Sequence, residues 1–176
     1  MKQKRTFIAI LLVLVLLCLG IAYAVISGVD LNITGQVSAT ATDANVNVKF
    51  TDAQKDESSK GTVTAQVTND TTATFTIEGL KTEGDTATMI YTITNNSTDI
   101  AATLTKNNPT WTNKDWYNVT YELSSENLGK SGEGNNTATA TVTVELLKTP
   151  VTEEDEAAAT DSTISISIDA EPVANS

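Results

Sequence analysis

From residue 29 onward apolar and polar residues alternate almost without a break, and a period of two commits a chain to half-buried β-strands. Val29, Leu31 and Ile33 share one face, and beyond Gly35 the phase resumes at Val37, Ala39 and Ala41. The pattern returns in Val46-Val48-Phe50, Val63-Ala65-Val67, Ala73-Phe75-Ile77 and Ala87-Met89-Tyr91-Ile93. It continues through Ile100-Ala102-Leu104, Val119-Tyr121-Leu123, the long run Ala138 to Leu146, and Ile164-Ile166-Ile168-Ala170. The opposite face is mostly threonine, whose β-branched hydroxyl side chain suits an exposed pleated surface. Short strands with one polar face predict two antiparallel sheets packed together. The expected fold is thus all-β, one antiparallel β-sandwich of jelly-roll or immunoglobulin-like type over about residues 29–173.

The stretches between the runs agree with this. Residues 79–85 (GLKTEGD) and 95–99 (NNSTD) are rich in residues that turn a chain. Residues 124–137 (SSENLGKSGEGNNT) read as an exposed, mobile loop. After Pro150, TEEDEAAAT is read either as two helical turns capped by Thr152 or as an acidic loop.

The first two dozen residues obey a different rule. Lys2, Lys4 and Arg5 precede an apolar run from Phe7 to Gly20, and Ala22-Tyr23-Ala24 follows. These are the three parts of a secretory signal peptide, with cleavage after Ala24. The apolar character extends to about residue 29, so an uncleaved N-terminal hydrophobic anchor helix is the second reading. Either way the expectation is a leader over 1–24 and a single extracytoplasmic domain over 25–176, secreted or at the cell surface. Contact with a membrane is expected only through the N-terminal segment. Cys18, the single cysteine, follows Leu17 rather than a small residue, so lipidation is not expected.

The chain carries 11 basic and 22 acidic residues. Loss of the three leader cations leaves eight against 22, a net charge of −14. A field of that sign repels polyanions, and no nucleic-acid partner is expected. Histidine is absent, and the only cysteine lies in the leader. His-based triads and His/Cys zinc sites therefore have no residues to build on, and the expectation is a protein that is not an enzyme.

Four features are candidate sites. Residues 107–118 (NNPTWTNKDWYN) hold both tryptophans, and Trp111, Asp115, Trp116 and Tyr117 are the candidate ligand residues, stacking on a glycan. The plainer alternative is aromatic rings filling one end of the sandwich with their polar tips bonded. Glu153, Glu154, Asp155 and Glu156 are weak candidate calcium ligands, against the simpler reading of a solvated charge run; no other cofactor is expected. Asn-x-Ser/Thr triplets at Asn32, Asn69, Asn95, Asn96, Asn118 and Asn135 are read as chance products of composition. A self-formed Lys–Asn cross-link needs a buried lysine, and Lys49 is placed by alternation on the polar face.

Two stretches carry a resemblance. Residues 20–50, with their Ala-Tyr-Ala junction, alternating first strand and Val-Lys-Phe strand, resemble the start of secreted Gram-positive Firmicutes proteins. Some of these belong, with TasA and camelysin, to the biofilm-matrix fibre proteins, which implies a jelly-roll sandwich and an extracellular-matrix role. Residues 84–96 are similar to a hairpin of bacterial and archaeal surface sandwiches. Where the TasA-type junction leads into an aromatic-Ser-Asp signature, this chain has Val25-Ile26-Ser27-Gly28, and no functional residue is carried over.

The expectation is an exported surface or matrix protein that acts by contact with itself or other surface proteins. A carbohydrate-binding module using the Trp111–Tyr117 loop is the alternative. Self-assembly has a physical route, because residues 25–41 form a long alternating segment that could add to a neighbour's open sheet edge; the plainer reading is an ordinary first strand within its own domain.

Overall fold

Each alternating run becomes a strand because its apolar set finds a facing sheet. The computed structural model describes residues 31–41 and 45–173. The nine runs appear as β1 (Asn32–Ala41), β2 (Val48–Lys55), β3 (Thr62–Asn69), β4 (Thr72–Glu78), β5 (Thr86–Asn95), β6 (Ala102–Lys106), β8 (Tyr117–Leu123), β10 (Thr137–Leu146) and β11 (Ser162–Pro172). Two short strands, β7 (Thr110–Trp111) and β9 (Asn127–Leu128), and one helix, α1 (Glu153–Ala159), complete the described elements. The expected leader, with Ala22 and Ala24, lies outside the described residues.

The strands form two packed sheets. One has the order β2-β5-β10-β8. The other runs β3-β4-β1-β11; β7 and β6 then share the far edge of β11, and β9 flanks β6. The all-β, two-sheet architecture read from the alternation is therefore present. One pairing departs from the antiparallel expectation. β1 and β11 run parallel, from Ile33 opposite Ser162 to Ala41 opposite Ala170. The other described pairings are antiparallel. Parallel neighbours need a long crossover, and here the crossover is nearly the whole domain.

The phase of burial follows the sequence. All five inward positions of β10, from Ala138 to Leu146, are buried, as are Ile164, Ile166, Ile168 and Ala170 of β11. Leu31, Ile33, Val37 and Ala39 of β1 join the same core, whereas Ala41 is exposed where the strand leaves it. Each fully buried Leu or Ile contributes about 1.5–3 kcal/mol relative to an exposed position.

Polar contacts close the ends. Asn95 is fully buried; its Nδ2 donates to the carbonyls of Ile100 (2.9 Å) and Gly129 (3.0 Å), and its Oδ1 accepts from the Ser97 N–H (3.0 Å). The Ser97 hydroxyl in turn accepts from the Asn47 N–H, which brings the segment before β2 into the same network. The Gly/Asn/Ser stretch at 124–137 is exposed at residues 131–135, as expected, but is tied to the sandwich at several points. β9 pairs with β6, Leu128 is buried, and the Ser131 N–H donates to Ser97 O. The acidic segment after Pro150 takes its helical reading. Thr152 accepts at Oγ1 from the Asp155 N–H (3.1 Å), and Asp161, just past the helix, adopts a left-handed φ of 56°.

Candidate functional site

β1 is the first described element, yet it lies inside a sheet. Its backbone pairs with β4 on one side, from Asn32 opposite Glu78 to Ser38 opposite Thr72, and with β11 on the other. Alternation leaves open whether this segment is an ordinary strand of its own domain or adds to a neighbour's open edge. The structure places it in a slot between two strands, with both of its edges used. Strand order is the reason: alternation assigns a face to each residue but no neighbour to the strand.

Within the slot the inward row crossing the sheet reads Ala65, Phe75, Gly35, Ile164, Trp111 on β3, β4, β1, β11 and β7. Phe75 is buried and its ring occupies the space that a side chain at position 35 would fill. Gly35 thus supplies room. Its backbone φ is not in the left-handed region, where the positive-φ glycines are Gly61, Gly79, Gly84 and Gly132. The signal for this contact was the gap in alternation between Ile33 and Val37, whose partner could not be read from the chain alone. A shallow trough of about 200 Å³ opens beside Gly35 and Phe75, and another of about 250 Å³ lies beside Trp111 and Ile164.

The aromatic loop is built by its own backbone turn. Asn113, at a φ of 55°, accepts at its carbonyl from the N–H groups of Trp116 (2.8 Å) and Tyr117 (3.1 Å), and its Nδ2 donates to Thr160 O. Tyr117 is fully buried and donates its hydroxyl to Ala159 O at 2.9 Å, fastening the end of α1. Burial pushes its phenol up to about 12. Trp116 is also buried, with the Lys148 ammonium 4.1 Å from its ring centroid. Trp111 is half-buried, donates Nε1 to Tyr117 O at 2.9 Å and has Lys114 5.1 Å from its ring centroid. Asp115 is exposed. Of the four candidate ligand residues, Trp116 and Tyr117 thus face the sandwich, and Trp111 and Asp115 reach the surface. The rings close one end of the molecule with their polar tips bonded, and each indole carries a lysine worth about 0.5–1 kcal/mol at an exposed site.

The four acidic candidates make up the first turn of α1. Glu153 and Glu154 are exposed, Asp155 accepts at Oδ2 from the Val151 N–H (3.2 Å), and Glu156 turns inward. Among the described residues no three His, Cys, Asp or Glu side chains are gathered as a metal site. Nor is any helix among them long and apolar enough to cross a membrane. Asn95, with its side chain buried and bonded, has no access for a glycan. Lys49 points outward and pairs with Asp70 at 2.7 Å.

No family model matches the chain, and no curated protein matches it.

Proposed function

We propose that this chain is an exported structural protein of the cell surface or extracellular matrix, working by contact with copies of itself. The observation that carries the reading is the position of β1. An initial strand seated between β4 and β11 uses both sheet edges of the slot, so the same segment from a second molecule would satisfy the same hydrogen bonds and bury the same side chains. Molecules joined in this way form a head-to-tail series, which closes into rings or runs on as filaments.

The wider assignment is consistent with this. The basic, apolar and small-residue leader argues for export, and the lack of histidine and of cysteine beyond the leader leaves few residues for chemistry. The fold belongs, in this reading, with the jelly-roll or immunoglobulin-like sandwiches of surface proteins. Glycan binding has less support, because Trp116 and Tyr117 are occupied by packing and by a hydrogen bond to α1.

The test is light scattering on residues 25–176 over a range of concentrations, with electron microscopy of the same samples. The expected result is mass that grows with concentration and filaments in the images. A monomer at every concentration overturns the self-assembly reading.

A further inference from the structure

We propose that Gly35 and Phe75 form a register key, so that the slot between β4 and β11 accepts β1, from its own chain or from a second copy, and no other strand. The proposal rests on the strand-exchange reading above and adds what selects the strand.

The contact is steric. A Cβ at position 35 would fall against Cζ, Cε1 and Cε2 of the Phe75 ring. The ring has few other places to go. It is 3% exposed, and its cross-strand neighbour on the far side is Ala65, the next small side chain in the row. Phe75 therefore fits only when the strand beside β4 presents no side chain opposite it. The outer neighbour Ile164 is buried as well, so the ring is held between filled positions.

Slipping β1 in its slot fails at every small step. A shift of one residue turns Thr34 and Gln36 inward and Ile33 and Val37 outward. A shift of two restores the polarity but sets Ile33 or Val37 against Phe75. The key also rejects other strands. Gly35 is the one glycine within any described strand, so every other alternating segment would bring a Cβ to the ring. Polarity alone would let β3, β4 or β10 compete for the slot, since all of them alternate; the missing side chain distinguishes β1.

Exchange between copies would then be specific without charge pairing, which matters for a chain whose acidic residues outnumber its basic ones two to one. The key selects by volume, and neither Gly35 nor Phe75 carries a charge that salt or pH could alter.

The experiment uses residues 25–176, which carry every described element, as wild type, Gly35→Val, Phe75→Ala and the double variant. Gly35→Val is expected to lower Tm sharply and to abolish growth in light scattering. Phe75→Ala in the same chain is expected to restore both, with the double variant more stable than Gly35→Val alone. Independent, additive losses in Tm overturn the key. A mixing arm tests acceptance between molecules. Labelled Gly35→Val chains should enter and extend assemblies of Phe75→Ala chains but only cap those of wild type, whose slots refuse their β1, and so stop growth there; equal extension of both overturns selection by the key. If wild type never assembles, the exchange between copies fails with the function proposed above. The Tm cycle then decides the key within one chain.

Discussion

Tyr91 has the one buried side-chain polar atom without a hydrogen-bond partner among the described residues. Its hydroxyl sits in the core, with Phe50 edge-on at 6.1 Å between ring centroids, and burial holds the phenol well above its usual range. Such a group keeps its desolvation cost with no bond in return. Tyr91→Phe should therefore leave stability unchanged or raise it by up to about 1 kcal/mol in urea denaturation. Asn95 is the opposite case. Its side chain makes three hydrogen bonds at a fully buried position, so Asn95→Ala leaves two carbonyls and an N–H unmatched. A loss of about 2–4 kcal/mol is expected by the same measurement, and a loss under about 1 kcal/mol would mean that water replaces the amide.

At the scale of elements, β1 takes the plainer of its two readings, a strand within its own domain. As a strand donated only to a neighbour, its removal would leave a folded monomer. As an inner strand it contributes Leu31, Ile33, Val37 and Ala39 to the core and closes the ladders of β4 and β11. Deleting residues 25–36 should thus abolish the cooperative thermal transition of the monomer, and a variant that melts like wild type would place the strand outside the fold. The long strands and their inward faces were legible because burial on one face imposes the period of two. β7 and β9 were not, since two residues are too few to show a period. The parallel partnership of β1 and β11 was equally hidden, because alternation reads the same in either direction. In the aromatic loop, the residue types announced packing or stacking alike. What decides the state of Tyr117 is the carbonyl of Ala159, 42 residues away along the chain. For Glu153 to Glu156 the Thr152 cap signal was local and readable, but it left helix and acidic loop both open, and the burial of Glu156 and Ala159 goes with the helix.

At the scale of the whole molecule, the chain lacks the side chain that ordinarily titrates near neutrality. Its pH response is displaced toward base. Tyr117 and Tyr121 are pushed up to about 12 by burial, against the ordinary phenol value of 10.0. The folded state holds those protons where the unfolded state has released them. Stability from this source is fully present below pH 10 and falls as pH rises toward about 12. Unfolding followed by circular dichroism should show a flat response from about pH 6 to 9 and a steep loss above 10. Persistence of the full signal at pH 12 would show that these phenols do not limit the fold.

The parallel run of β1 beside β11 also has a mechanical meaning. The chain enters this pair at Asn32, level with the start of β11, and leaves it at Pro172, beyond the far end of β1. A pull applied through the segments before β1 and after β11 draws the two strands lengthwise past each other. Their hydrogen bonds then share the load at once, in shear, and cannot be opened one at a time like a zipper. Under such a pull, the pair most directly loaded is also the one set to resist.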